Sequence, residues 1–241
     1  MARVFWEHST VRYYCHEPFE VTYYDKQGLD VVFAKLAEPL DIQVVTCGGA
    51  SSANALVIKE MPYQVGDHFP LLARLATAPV VFLIRDPRLN IASRIAKKLE
   101  TGDSPFFPLI ETGWELIARQ VNYCRRENIP YALIDASDFR NVPTQVFPGL
   151  FALFGLEFSS SMLTWQSCND LEIDNLDGAH SHLYRRVLSS RGVQPAKEDI
   201  PSLESFSEDN GVRAHVDRCL QIYSALRADT HRIQPASGGS E

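Results

Sequence analysis

The sequence predicts an α/β fold, a three-layer sandwich around a mostly parallel central sheet. Two observations carry that expectation. PVVFLI (79–84) and YALI (131–134) are continuous apolar runs rich in β-branched residues, the pattern of strands buried on both faces of a parallel sheet. Helical patterns follow each run, and strands that alternate with helices argue for parallel pairing.

Taken in order, Val4, Phe5 and His8 sit at helical spacing in the first residues, which read as the end of a helix. VRYYC (11–15) is a short strand that stops at His16-Glu17-Pro18, because proline disfavours helix at the preceding residue and breaks a ladder. QVVTC (43–47) and ALVI (55–58) are two further short strands, separated by the flexible loop at 48–52. After PVVFLI, Asp86 as N-cap and Pro87 as first helical residue open a helix running through residue 99. Trp114, Ile117, Val121 and Cys124 form an apolar stripe over 112–128, with Arg125 and Arg126 in the last turn where cations suit the dipole. A helix over 144–154 ends at Gly155. Residues 165–209 read as polar and irregular, 212–228 as a last amphipathic helix, and 229–241 as a disordered tail, leaving one domain over 1–228.

Composition narrows function by exclusion. The 241 residues suit one α/β domain, and 45% hydrophobic with 22% charged residues is ordinary for a globular chain. A net charge of −7 argues against a general nucleic-acid binder, and no apolar run reaches the ~20 residues of a membrane span. Five cysteines without CxxC spacing imply neither a zinc site nor a disulfide framework, so no metal is expected and the thiols read as buried and reduced. With no secretory h-region at the start, the expected location is cytoplasmic.

The strongest local signal is PVVFLIRDPRLNIASRI. Parallel sheets bind ligands beyond the carboxyl ends of their strands. Arg85 follows such a strand, and Ser93 lies eight residues on, about two turns into the next helix. An arginine fork and a serine hydroxyl can bracket one phosphate; the plainer alternative is an arginine paired with an acid.

FLIRDPRLNIAS resembles the 3′-phosphate-binding segment of sulfotransferases that use 3′-phosphoadenosine 5′-phosphosulfate (PAPS), which carry an RDP-type turn and a serine eight residues past the arginine. The resemblance extends to VRYYCHEPFEVTYY, to LVIKEMPYQV and to the stretch from GWELIARQV through LFGLEFSSSMLTW. It implies a P-loop nucleotide-binding type of fold. It implies sulfonate transfer from PAPS to a hydroxyl or amine of a small metabolite, with 3′,5′-ADP as product. By this resemblance Arg85 and Ser93 hold the 3′-phosphate. Glu17, in the turn after the second strand of these enzymes, is the base, with His16 beside it as the other candidate. A carboxylate there suits the chemistry, because an alcohol attacking sulfur needs a base near its oxygen. Lys59 in VIKEM stabilises charge as the S–O bond breaks. Arg191 and Gly192 in SSRG match a basic glycine-containing loop over the 3′-phosphate. Each has a bland counterpart: a turn carboxylate, a surface lysine paired with Glu60, an unremarkable loop.

One departure stands against these matches. The family opens with a strand and a phosphosulfate-binding loop of the type PRSGST, whereas this sequence opens with MARVFWE, which matches the helix after that loop. Residues 48–52 have no GK[ST] ending and do not replace it. A truncated start and a lost loop both account for the pattern. The expectation is nucleotide binding through Arg85 with weak transfer, and unpaired sheet backbone that favours self-association into a homo-oligomer. The alternative reading keeps the fold but drops the transfer: a binding protein, or a PAPS-independent lyase or isomerase using Glu17 and His16. Variable loops over 21–40 and 100–111, with Tyr23, Tyr24, Phe106 and Phe107, are the expected acceptor-lining segments.

Overall fold

A computed structural model of the chain describes residues 1–42, 54–169, 171, 173, 181–196 and 199–236. The strand expected at 43–47 and the loop at 48–52 lie outside the described residues. The chain divides into two compact units, Met1–Val65 with Phe158–Gln194 and Gly66–Glu157 with Pro195–Glu241. The chain leaves the first unit after Val65 and returns to it at Phe158.

The first unit holds α1 (Ala2–Trp6), β1 (Val11–His16), α2 (Glu20–Tyr24), α3 (Leu29–Ala37), β2 (Leu40–Asp41), β3 (Ala55–Lys59) and α4 (Pro62–Val65). Its sheet runs in the order β2-β1-β3. β1 pairs with β3 in parallel and with β2 antiparallel. Val4, Trp6, Tyr14, Phe19 and Val32 are buried in this unit. The segment expected to be a variable loop at 21–40 is largely helical. Its apolar residues Val31, Val32 and Leu36 recur at helical spacing, and Val32 reaches the core.

The second unit holds α5 (Phe69–Leu75), β4 (Val80–Ile84), α6 (Pro87–Glu100), α7 (Trp114–Glu127), β5 (Tyr131–Asp135), α8 (Ala136–Asn141) and α9 (Pro143–Ala152). In chain order α10 (Ser181–Leu188) follows in the first unit, and α11 (Val212–Arg227) in the second. β4 and β5 pair in parallel, Val80 opposite Tyr131 through Ile84 opposite Asp135. The expected start of α6 is present: the Asp86 carboxylate accepts the Arg88 N–H at 2.9 Å, and Pro87 follows the cap. The α7 stripe packs inward as its spacing requires, with Trp114, Ile117, Val121 and Cys124 all buried.

The chain is thus α/β, with parallel pairing in β1–β3 and β4–β5. The described strands are shared between a three-stranded and a two-stranded sheet where the sequence suggested one. Apolar runs reveal which segments are strands but not which neighbour each one bonds. Two further departures concern the polar half of the chain. α10 lies inside the stretch read as irregular. Residues 229–236, read as tail, are tied to the second unit: Leu133 N–H donates to His231 O at 3.1 Å, and Ile233 N–H to Leu133 O at 2.9 Å. Asp229 accepts from Arg125 and from the Tyr131 hydroxyl. Residues 237–241 lie outside the described residues.

Cys15, Cys124, Cys168 and Cys219 are buried free thiols, and Cys47 is outside the described residues. Among the described residues no cluster of His, Cys, Asp and Glu is arranged to hold a metal ion, and no helix is long and apolar enough to cross a membrane.

Candidate active site

The parallel ladder of β1 and β3 assembles the site. It sets His16 opposite Lys59, and the Glu17 N–H continues the ladder by donating to the Lys59 carbonyl at 2.7 Å. Three side chains singled out in the sequence therefore meet at one strand end. Glu17 itself adopts φ 44°, the left-handed region that costs a residue with a Cβ on the order of 1–2 kcal/mol. The conformation turns the chain sharply into Pro18 and α2, and Glu20 N–H closes the turn onto Glu17 O at 2.9 Å.

The Glu17 carboxylate is buried between donors. Lys59 Nζ contacts Oε1, and Gln64 Nε2 donates to Oε2 at 2.8 Å. Lys59 also approaches Met61 Sδ at 3.3 Å. Burial pushes the Glu17 carboxyl up. The Lys59 and His16 charges, with the Lys59 and Gln64 hydrogen bonds, outweigh it and hold the group below the usual carboxyl value. The partners differ in access: the Lys59 side chain is 31% exposed and that of Glu17 5%. An anion arriving from solvent meets the ammonium first.

His16 Nε2 lies 3.4 Å from Glu17 Oε1, and its Nδ1 shares a 2.6 Å hydrogen bond with the Tyr14 hydroxyl. Burial, and then the nearby Glu17 charge, raise the Tyr14 phenol, so it stays protonated at neutral pH. Nδ1 is thus committed to Tyr14 and Nε2 faces Glu17. The Tyr184 ring and the imidazole pack T-shaped, their centroids 4.5 Å apart.

The remaining sequence candidates occupy other places. In the second unit Arg85 follows Ile84 at the carboxyl end of β4, half-buried, and Ser93 is exposed on α6. The neighbouring Arg88 grips Asp86 with both fork nitrogens, Nε to Oδ1 at 3.0 Å and Nη2 to Oδ2 at 2.7 Å. In the first unit Arg191 is exposed, while Gly192 is buried and bridges to Thr164. A Cβ at Gly192 would lie 2.7 Å from Leu163 O, so close backbone packing by itself requires glycine there. Sequence reasoning missed Tyr14, Glu60 and Gln64. Glu60 and Gln64 stand in the LVIKEMPYQV segment, but only the pairing of β1 with β3 shows what they face.

A profile described as "Sulfotransferase domain" matches residues 11–229. A solved structure described as "Sulfotransferase Domain from the Curacin Biosynthetic Pathway" is similar at TM-score 0.46 and 15% identity, covering 94% of this chain and 92% of that one. Among curated proteins, none matches.

Proposed function

The chain belongs to the sulfotransferase-domain family, and from that premise we propose that it transfers a sulfonate group from PAPS to a hydroxyl or amine of a small metabolite. A P-loop-type three-layer architecture is part of the same proposal. The observation that carries it is the buried Glu17 carboxylate held by a solvent-reachable Lys59 ammonium at the end of paired parallel strands.

The residues present fit such a donor by their chemistry. Lys59 offers a reachable cation in the first unit. Arg85 at a strand's carboxyl end and the exposed Ser93 hydroxyl offer, in the second, the charge and the neutral donor a phosphate takes. They are the residues proposed for the 3′-phosphate, with Arg191 a further candidate anion contact. Bound PAPS supplies an activated sulfonate and leaves as 3′,5′-ADP.

Glu17 accepts the proton of the acceptor hydroxyl. While paired to Lys59 it is a weak base, because the cation stabilises its charged form. When Lys59 turns to an incoming anion, burial dominates and the carboxyl becomes more basic. Lys59 then lies where negative charge develops. His16, with Nε2 directed at Glu17 and Nδ1 committed to Tyr14, orients the base and is not itself the proton acceptor. The Glu17 N–H bond to the Lys59 carbonyl keeps both roles at one strand end.

The test is release of 3′,5′-ADP from PAPS by the purified chain with a panel of hydroxyl and amine acceptors, alongside melting in 3′,5′-ADP. Turnover supports the proposal, and a ligand at 100 times its Kd raises stability by about 2.7 kcal/mol. Nucleotide binding with no turnover favours a relative that keeps the fold as a binding protein. Neither binding nor turnover overturns the PAPS assignment.

A further inference from the structure

The turn that carries Glu17 turns two backbone donors outward, Glu17 N–H and Phe19 N–H, since Pro18 has no N–H and Glu20 N–H closes the turn on Glu17 O. Both go to consecutive residues at the end of β3. Glu17 N–H bonds the Lys59 carbonyl, and Phe19 N–H bonds Glu60 Oε2 at 2.9 Å. The other Glu60 oxygen, Oε1, accepts its neighbour's Met61 N–H at 2.7 Å. Phe19 is the N-cap of α2 and has no oxygen of its own with which to cap the helix, while its ring is fully buried. Glu60, the residue after β3, takes the N–H of this N-cap residue.

The residue type matters. Two N–H groups converge on two oxygens, which a carboxylate accepts fully and an amide only by half, its NH2 facing a second donor. The carboxyl is kept despite the cost of burying it. Burial pushes it up to about 8. The Phe19 and Met61 N–H bonds and the Lys59 charge work against that rise, and the Glu17 charge adds to it. Tyr14 and Cys15 face it as well, and both are raised in part by its charge.

We propose that Glu60 is the positioning residue of the base. By clamping Phe19 N–H to the end of β3, it holds the strained turn so that Glu17 stays against Lys59 and Gln64. The proposal rests on the reading of Glu17 as the base, and it adds a residue that touches neither substrate nor donor. Without the clamp, one of the two bonds that tie the turn to the end of β3 is lost, and φ 44° at Glu17 can relax to an ordinary conformation.

The experiment is a carboxyl NMR titration of Glu17 in the wild-type chain, Glu60→Ala and Glu60→Gln. With its own value pushed up to about 8, Glu60 carries no charge where Glu17 titrates, so removing it leaves the electrostatics of that titration in place. Losing the position raises the Glu17 midpoint, because the Lys59 and Gln64 contacts open. The expected result is a rise of about one pH unit in Glu60→Ala and a smaller rise in Glu60→Gln, which keeps one acceptor. An unchanged or lowered midpoint in the folded variants overturns the proposal. A readout in the wild type covers variants that fail to fold: the Phe19 amide shift must follow the ionisation of Glu60, and an amide that ignores it overturns the clamp. Where the wild type transfers sulfonate, Glu60→Ala lowers kcat by about 10- to 100-fold with 3′,5′-ADP affinity unchanged. A wild type without transfer defeats the functional reading but leaves the titration to decide the clamp.

Discussion

Two parallel strands in this chain hand over to a buried acid, and the two acids are built differently. Asp135 is the last residue of β5, fully buried, with extended backbone at φ −87° and ψ 131°. It accepts Ser137 N–H at 2.9 Å, Ser137 Oγ–H at 2.6 Å and Tyr223 O–H at 2.7 Å, with Arg227 Nε at 3.3 Å. Three of these donors are neutral, and together they cap α8 and dock α11. Glu17, one residue past β1, instead has strained left-handed backbone and is held by one amide and one partly exposed lysine. A carboxylate bonded by fixed neutral donors is a fastener. One neutralised by a cation that can swing to solvent can be released to do chemistry. Neither the position at a strand end nor a partly exposed cation separates the two, since Arg227 stands beside Asp135; the strained backbone at Glu17 and the three neutral donors on Asp135 do.

The largest expected effect tests that distinction directly. Glu17→Gln keeps the Gln64 and Lys59 neighbours in place but removes the proposed base, and kcat for sulfonate transfer should fall by roughly 10²–10⁴ with nucleotide affinity little changed. A Gln variant that turns over like the wild type moves the proton to water or to His16. In the second unit, Arg85→Ala should abolish measurable 3′,5′-ADP binding by calorimetry, and Ser93→Ala should weaken it by about 1–3 kcal/mol, the range for losing a bond to a charged group. Unchanged affinity in both variants rejects the phosphate assignment. Asp135→Ala should show the opposite profile to Glu17→Gln. Unsatisfied Tyr223 and Ser137 donors and a lost cap should lower unfolding free energy by about 1–3 kcal/mol in urea, while the folded molecules turn over normally. Loss of turnover in well-folded Asp135→Ala would erase the contrast between the two strand ends.

What the sequence made legible follows the range of the interactions. Signals confined to a few neighbours were readable. Asp86-Pro87 opens α6, the 114–124 stripe packs, and VVFLI and YALI form paired strands because local steric preference and burial pattern act within one segment. The candidates Glu17 and Lys59 were readable one at a time, as residues after strands. Their union was not, because 42 residues separate them and only the register of β1 on β3 brings them together. Gln64, Tyr14 and Glu60 were hidden for the same reason. Gly192 has a second reason to be glycine that the sequence hid, the close approach of the Leu163 carbonyl. The helix α3 and the docked residues after Asp229 were missed because polar surfaces masked short apolar contacts and a side-chain latch.

The smallest effect concerns two titrating groups, one in each unit, whose influences on stability oppose each other. His215 in α11 is buried, with Nε2 2.8 Å from Thr112 Oγ1 and 3.3 Å from Cys219 Sγ, and Nδ1 3.6 Å from Glu115. Burial lowers its pKa, Glu115 partly offsets that, and Arg218 adds to the lowering. Its folded value therefore lies below the unfolded value of about 6.5. Below that pH the unfolded chain takes up a proton that the folded chain declines, so the His215 contribution is whole above about pH 6.5 and is lost as pH falls. Glu60 runs the other way. Its folded value of about 8 lies above the unfolded carboxyl value, so between about pH 4.3 and 8 the folded chain binds the extra proton, and stability falls as pH rises. Each slope is bounded at about 1.4 kcal/mol per pH unit, and between pH 5 and 6.5 the two partly cancel. Melting midpoints of the wild type should therefore vary little across that window. His215→Gln, which retains a partner for Thr112, should leave the Glu60 slope exposed, with stability declining from pH 5 to 6.5. Glu60→Gln should leave the His215 slope exposed, with stability rising over the same range. Variants whose curves run parallel to the wild type would show that neither group changes protonation on folding. A change in only one variant would assign the pH dependence to that unit alone.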